Sequence, residues 1–108
     1  MIISTREYLE GYEITETLGL VRGSTVRVRH LGNDILAGLK NLVGGEITAY
    51  TELMSDAREQ ALDRMIADAE ELGADAVLCV RFTTSMLMRA ASEILAYGTA
   101  VKIRRRPS

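Results

Sequence analysis

Apolar residues alternate with polar ones in the first and last thirds of the chain and recur every three or four positions between them. The alternation over residues 12–21 predicts a half-buried strand with Ile14, Leu18 and Leu20 on its apolar side. Arg22-Gly23-Ser24 predicts a turn, and the alternation of residues 25–29 then predicts a second short strand or extended arm. The first third is therefore expected to hold two short strands.

The middle of the chain has the apolar spacing of helices. Residues 34–43 predict a short amphipathic helix, with Asn33 or Asp34 as its N-cap and Gly44-Gly45 at its end. Residues 48–72 predict a longer helix that ends at Gly73 and carries an apolar stripe as far as Leu72. At 1.5 Å per residue this helix would extend ~37 Å, so it is expected to lie across a sheet. Its water-facing side is predicted to carry Glu52, Asp56, Glu59, Asp63, Arg64 and Glu70.

The last third predicts two strands joined by a turn. In the first strand, alternation places on one face Ala76, Leu78, Val80 and Phe82. In the second strand, one face carries Leu95, Tyr97, Thr99, Val101 and Ile103, and the other carries Ile94, Ala96, Gly98 and Ala100. The latter set is mostly small, and small residues let a helix or a neighbouring subunit approach the sheet closely. We favour the long helix as the element that packs there.

Composition indicates one ordinary domain over residues 1–108. Apolar residues make up 47% and charged residues 26% of the chain. The net charge of -2, and five aromatic residues that do not interleave with Arg or Lys, argue against nucleic-acid and membrane partners. The sequence has neither a signal-peptide pattern nor an apolar run of ~20 residues, and the lone Cys79 agrees with a reducing compartment. We therefore expect a cytoplasmic protein.

Metal binding has little support from residue types. Structural zinc takes about four Cys or His ligands and catalytic zinc about three, whereas this chain has one of each, Cys79 and His30. A site within one subunit is not expected, although symmetric copies in a ring would multiply these ligands. The thioethers of Met86 and Met88 suit Cu(I), but apolar residues at a strand end favour a subunit contact. We assign no metal site and no cofactor.

No segment has the pattern of a catalytic motif. The single histidine has no spacing-defined partner for a nucleophilic triad, and Gly44-Gly45-Glu46 lacks the glycine spacing and the lysine of a P-loop. The best candidates for a ligand-binding cleft are Asp34, Glu46 and Tyr50, the polar residues that border the two turns around the helices. Capping and surface hydrogen bonding are the alternative roles of these three residues. No catalytic residue is assigned.

Nearly the whole chain resembles the YbjQ-like family of small bacterial and archaeal proteins, which carries a heavy-metal-binding label. The stretches that carry the resemblance are Ala37-Gly38-Leu39-Lys40, Val43-Gly44-Gly45-Glu46-Ile47, Ala57-Arg58-Glu59-Gln60-Ala61, Gly73-Ala74-Asp75-Ala76-Val77, Val80-Arg81-Phe82 and Ala96-Tyr97-Gly98-Thr99-Ala100-Val101. The chain departs from its relatives at Cys79, where glycine or another small residue is common, and at Val28, where glycine is frequent.

The resemblance implies an α+β, dodecin-like subunit with an antiparallel-rich sheet packed by one long and one short helix. It also implies a closed homo-oligomeric ring of five subunits, completed by short extra strands that we place at residues 2–5 and 25–29. Two functions are consistent with such a ring. The favoured one is a binding or scaffold protein that holds a small ligand or metal at subunit interfaces. The alternative is an enzyme with an interfacial active site that uses acidic residues such as Asp34 and Glu46.

Overall fold

The computed structural model describes the backbone of residues 1–28, 45–88 and 91–107, and the side chains of residues 1–26, 55–87 and 91–107. The short helix predicted over residues 34–43 lies outside this part of the chain. Two segments are expected to add strands to a ring. Residues 2–5 lie inside the described part of the chain, and so do residues 25–28 of the arm.

A long helix packed on a four-stranded sheet forms the described part of the chain. The elements in chain order are β1 (Ile2–Ile3), β2 (Tyr12–Val28), α1 (Gly45–Glu71), β3 (Ala76–Met88) and β4 (Ala91–Arg105). The strand order is β1-β3-β4-β2, with β1 parallel to β3 and the other neighbours antiparallel. The α+β class is confirmed, and the sheet is mixed rather than wholly antiparallel.

β2 runs without interruption through the predicted turn at Arg22-Gly23-Ser24, so the predictions of a turn and of a separate arm were wrong. Gly23 pairs with Ala96 inside the ladder. A Cβ atom at this glycine would overlap the carbonyl oxygen of Ala61 and the amide nitrogen of Met65. Gly23 therefore allows close contact between strand and helix backbones instead of a change of chain direction.

Two irregularities in β2 change which of its side chains face α1. The register with β4 shifts between Ile14 and Glu16 and again between Thr17 and Gly19. Each extra residue moves the following side chains to the other face of the sheet. The two shifts cancel beyond Gly19, so Ile14 and Leu20 share the sheet face away from α1, and Val21 lies on the other face, buried beneath the helix. Leu20, which plain alternation places on the apolar side, is 68% exposed.

A bulge at Cys79 has the same effect in β3. Cys79 and Val80 together lie opposite the single Gly98 of β4, and Cys79 has a φ of 55°. Leu78 packs on the sheet face away from α1, whereas Val80 belongs to the core beneath the helix. The bulge therefore splits the four residues predicted to share one face, which are Ala76, Leu78, Val80 and Phe82.

The predicted division of β4 into a small face and a larger face is confirmed. Ala96 and Ala100 are fully buried in the same core as the inner residues of α1. Gly98 has a different reason to be small: a Cβ atom there would lie 2.6 Å from Cγ1 of Val77 and 2.9 Å from the carbonyl oxygen of Leu78. The space above Gly98 is thus occupied by β3, because the Cys79 bulge brings β3 over it.

α1 begins three residues earlier than predicted and ends where Gly73 indicates. Gly73 has a φ of 75°, and its N–H donates to the carbonyl of Glu70, while the N–H of Ala74 donates to the carbonyl of Ala69. This pair of bonds is the Schellman arrangement that terminates helices. Leu72, predicted as the end of the apolar stripe, is exposed beyond the last helical turn.

The inner side of α1 is built mainly from alanine. The fully buried residues of this side are Ala57, Ala61, Met65 and Ala69. The residues predicted to face water are exposed at Asp56, Glu59, Asp63, Arg64 and Glu70, although Glu59 borders a cavity beside β3 and Arg64 reaches the backbone of β2; the side chain of Glu52 lies outside the described residues. Small inner residues bring the helix axis close to the sheet, which explains why β2 needs a glycine beneath it.

The N-terminal segment completes one edge of the chain's own sheet. β1 pairs with the start of β3, and Ser4 extends this pairing by donating to the carbonyl of Val77 and accepting from the N–H of Val80. The guanidinium of Arg81 donates to the carbonyl of Thr5 at 2.8 Å and holds the segment in place. Leu9 then packs against the apolar cluster on the sheet face away from α1. Residues 2–5, expected to complete a ring, therefore pair within the subunit.

Candidate functional site

The three residues predicted to bind a ligand cannot be placed together from the described side chains. Asp34 lies outside the described residues. Glu46 and Tyr50 lie in the first two turns of α1, four residues apart and hence on the same side of the helix, but their side chains also lie outside the described part. The cleft formed by Asp34, Glu46 and Tyr50 stays a prediction, and so does the interfacial active site that would use two of them.

Cys79 is held in a structural position within the β3 bulge. Its thiol is half-buried, and its sulfur lies 3.8 Å from the carbonyl oxygen of Arg6. The residues with described side chains contain no group of three or more His, Cys, Asp or Glu that is arranged to hold a metal ion. The other candidate ligand, His30, lies outside the described residues.

The outer edge of β3 is unpaired beyond Val80 within the described chain. β1 and the segment that follows it stop at this point, because Arg81 turns its guanidinium back toward Thr5 and Val80. The next six residues, from Phe82 to Leu87, are uncharged, and all six are exposed. Met86 has the largest exposed fraction among the exposed large hydrophobic side chains, 76%. This stretch, the open β3 edge, presents unused backbone hydrogen-bonding groups beside apolar side chains.

The opposite edge of the sheet, β2, is protected. The N–H of Arg22 donates to a carboxylate oxygen of Asp68 at 3.1 Å, and the guanidinium of Arg64 donates to the carbonyl of Ser24 at 2.5 Å. Both side chains reach down from α1 to backbone groups of the strand. Nearer its start, β2 carries the two register shifts, which also hinder pairing with another strand. The two edges of the sheet are therefore unlike.

The sheet face away from α1 is only partly covered. Leu9 and the buried cluster of Ala76, Leu78 and Val101 fill one end of it. Farther along β2, Leu20 and Val26 are exposed on this face. Exposed apolar side chains are thus present on this face along the β2 edge as well.

An open cavity of about 210 Å³ lies between the middle of α1 and β3. Its lining consists of Ser55, Arg58, Glu59, Leu62 and Phe82. It arises because α1 packs mainly against β2 and β4 and leaves the helix side of β3 uncovered near Phe82. Two apolar side chains therefore lie next to a hydroxyl, a guanidinium and a carboxylate.

Sequence reasoning identified one part of this region and missed the other. The apolar residues around Met86 predicted a subunit contact, and the exposure of Met86 and Leu87 leaves their side chains accessible to a second copy. The cavity was missed, because Arg58 and Phe82 are separated by a helix end, a turn and a bulge. The side of β3 on which Phe82 lies depends on the Cys79 bulge, and nothing in the alternation pattern marked that bulge.

No helix within the described residues is both long enough and apolar enough to cross a membrane. The fold is that of a small α+β protein, and within the described residues the β3 edge of its sheet is unprotected beyond Val80.

Comparison with known proteins gives the family. The family model described as "Putative heavy-metal-binding", YbjQ-like, matches residues 1–104. A UPF0145 protein of Methanosarcina acetivorans is 58% identical over 106 residues, which cover 98% of this chain and all of that protein. A UPF0145 protein of Halorubrum lacusprofundi is 62% identical over 104 residues, 96% of this chain and all of that protein. The chain belongs to the YbjQ-like family, as its sequence stretches indicated.

A solved structure supports the fold. A protein of unknown function from Pediococcus pentosaceus, of the DUF74 family, superimposes with a TM-score of 0.65 over 96% of this chain and 98% of that chain. The sequence identity is 18%, so the likeness concerns the fold alone.

Proposed function

We propose that this protein is the subunit of a closed homo-oligomeric ring with a binding or scaffold role, and that the open β3 edge is where a second copy pairs. The observation that carries the proposal is the run of six uncharged, exposed residues from Phe82 to Leu87, along a strand edge that no described residue pairs with. Edges of this kind template pairing with another chain, and proteins that stay monomeric block them with charges, bulges or covering elements.

The contrast between the two edges supports a specific contact at β3. β2 is blocked by Asp68 and Arg64 from α1 and by its own register shifts. The open β3 edge has no charge between Arg81 and residue 88. A second copy would satisfy its backbone groups and cover Met86 and Leu87 in the same contact. The apolar sheet face around Leu20 offers further area for the assembly.

A ring requires that each subunit contact its neighbours through two different surfaces. Pairing of two β3 edges with each other would give a two-fold dimer, whereas pairing of a β3 edge with another segment repeats around an axis. The family resemblance favours the ring and five copies. Five chains of 11.9 kDa give a mass of about 60 kDa, well separated from a dimer.

The heavy-metal description of the family does not fit the described side chains of a single subunit. They hold no cluster of metal ligands, and the thiol of Cys79 is half-buried beside the carbonyl of Arg6. We therefore propose assembly, rather than metal capture within one chain, as the basis of function.

Native mass spectrometry of the untagged protein tests the proposal. The expected mass is about 60 kDa for the wild type and that of the 11.9 kDa chain for Met86→Lys, because a lysine on the open edge places an unpaired charge in the contact. Gln60→Lys adds the same charge on an exposed residue of α1 and is expected to leave the assembly intact. Far-UV circular dichroism checks that both variants are folded.

A monomeric wild type would refute the assembly. An oligomer that persists in Met86→Lys would refute the β3 contact, and a dimeric wild type would refute the ring. Metal analysis of the same preparation, before and after incubation with micromolar Zn(II) and Cu(I), is expected to find no stoichiometric metal.

A further inference from the structure

The cavity between α1 and β3 has the composition of a small-molecule site. Leu62 and Phe82 supply an apolar wall, and Phe82, the only phenylalanine of the chain, remains 46% exposed there. Aromatic and aliphatic walls with a few polar groups at the rim are typical of pockets that bind small molecules. All five lining residues belong to one subunit, so the inference goes beyond the proposed assembly; Phe82 also begins the open β3 edge, and the monomeric Met86→Lys variant separates the two proposals.

The rim of this cavity carries both signs of charge. Ser55 and Arg58 lie three residues apart, which places a hydroxyl and a guanidinium on neighbouring turns of the same helix side. Glu59 contributes a carboxylate beside them. Among the residues with described side chains, neither Arg58 nor Glu59 forms an ion pair; the ion pairs found there are Arg6–Glu10 and Arg104–Glu13. The rim therefore carries the Arg58 guanidinium, which can bind an anion, next to the Glu59 carboxylate, which can bind a cation.

The volume of this open cavity indicates the size of the ligand that it can cover. A water molecule takes about 30 Å³ of liquid volume, so 210 Å³ corresponds to roughly seven waters or a molecule of roughly seven to ten non-hydrogen atoms. Leucine and methionine fall within this range. A nucleotide does not.

We propose that this cavity binds a free α-amino acid with an aliphatic side chain of about the size of leucine or methionine. Arg58 and Ser55 bind the carboxylate, Glu59 binds the ammonium group, and the side chain packs against Leu62 and Phe82. The guanidinium can accept a carboxylate in a two-pronged contact, which gives orientation as well as affinity. For a ligand of this size on an open surface, the dissociation constant is expected on the order of 1 mM.

Isothermal titration of the full chain with four compounds tests the proposal. L-Leucine is expected to bind on the order of 1 mM. Three analogues each lack one recognised part: 3-methylbutylamine lacks the carboxylate, 4-methylpentanoate lacks the ammonium group, and glycine lacks the side chain. Each analogue is expected to bind at least about tenfold more weakly than leucine, because one contact is lost while the others remain.

Variants locate the site. Arg58→Ala is expected to weaken leucine binding at least about tenfold, and Glu59→Gln to do the same while leaving 4-methylpentanoate unaffected. Arg105→Ala removes an exposed arginine at the far end of β4 and is expected to leave binding unchanged. Circular dichroism of each variant establishes that it is folded.

Three results would overturn the inference: no heat from leucine at 10-fold the expected dissociation constant, equal binding of leucine and 4-methylpentanoate, or equal binding by the wild type and Arg58→Ala. Leucine binding by the monomeric Met86→Lys variant would show that the site is independent of assembly. If a neighbouring copy fills the cavity, leucine would bind to the monomeric Met86→Lys variant but not to the wild-type oligomer. That result would also overturn the inference for the assembled protein.

Discussion

The α-carbon of Gly23 in β2 lies against the backbone of α1 at Ala61, so closely that no Cβ atom fits between them. This contact fixes the distance between helix and strand in the middle of the molecule. It also explains why a residue type usual in turns occupies the interior of a long strand. The helix can rest on β2 because its inner side there is alanine.

Substitution Gly23→Ala is expected to lower the free energy of unfolding by about 3 kcal/mol, since the new methyl group must displace helix backbone rather than a mobile side chain. Gly11→Ala is the matched control: Gly11 has open space around it but a φ of 80°, so the expected loss is only about 1 kcal/mol. Urea unfolding monitored by circular dichroism measures both values. Equal losses would show that contact with the helix is not what selects glycine at position 23.

Cys79 is expected to respond to substitution according to its backbone conformation. Its φ of 55° favours glycine and disfavours β-branched residues, so Cys79→Gly should be neutral or stabilising by about 1 kcal/mol, and Cys79→Val should be destabilising by about 2 kcal/mol or more. Thermal unfolding of both variants measures the difference.

The same two substitutions at Thr83, an exposed residue of β3 without a positive φ, provide the control. There valine should be the more stable of the two, because β-branched residues favour strands. The same order at both positions would contradict a strained bulge at Cys79.

Removal of the Thr25 hydroxyl is expected to stabilise the folded protein. Thr25 is 3% exposed, and its Oγ1 has no hydrogen-bond partner among the described residues. Thr25→Val keeps the shape and removes the desolvation cost of the buried hydroxyl, which should raise stability by about 1 kcal/mol. Differential scanning calorimetry should show a rise in the melting temperature of about 4–8 °C.

Thr17→Val is the control for this change, because Thr17 is exposed on β2, outside the open β3 edge, and its hydroxyl stays in water. Its melting temperature is expected to change little. A fall in stability of Thr25→Val would indicate that the hydroxyl of Thr25 does have a partner.

The edge contact of Asp68 is expected to contribute modestly to stability. Asp68→Ala removes the acceptor of the Arg22 N–H and should lower the free energy of unfolding by about 1 kcal/mol. The loss is modest because water can accept a hydrogen bond from that N–H instead. Asp63→Ala removes the same charge from the outer side of α1 and should change stability by less than about 0.5 kcal/mol. Chemical denaturation distinguishes the two. Indistinguishable midpoints would mean that Asp68 does not support the β2 edge.

Local signals in the sequence predicted much of the fold. The helix end at Gly73 follows from glycine's freedom at positive φ, and both the alanine-lined inner side of α1 and the small face of β4 follow from spacing. The described stretches that carry the family resemblance include the core residues Ala57, Ala61, Val77, Val80, Ala96 and Ala100. These features depend on neighbours within a few residues, where periodicity and propensity act directly.

Tertiary structure alone decided which strand residues face the helix and where the exposed surfaces lie. The bulge at Cys79 exchanges the two faces of β3, and the paired shifts of β2 do so only between Ile14 and Gly19; a bulge depends on the register with a neighbouring strand far away in sequence. Gly23 contacts the helix instead of forming a turn for the same reason. The helix residues that it contacts, Ala61 and Met65, lie about forty residues later in the chain. The Arg58–Phe82 cavity exists because α1 lies over β2 and β4, and the β3 edge is open within the described residues because β1 pairs only with the start of β3.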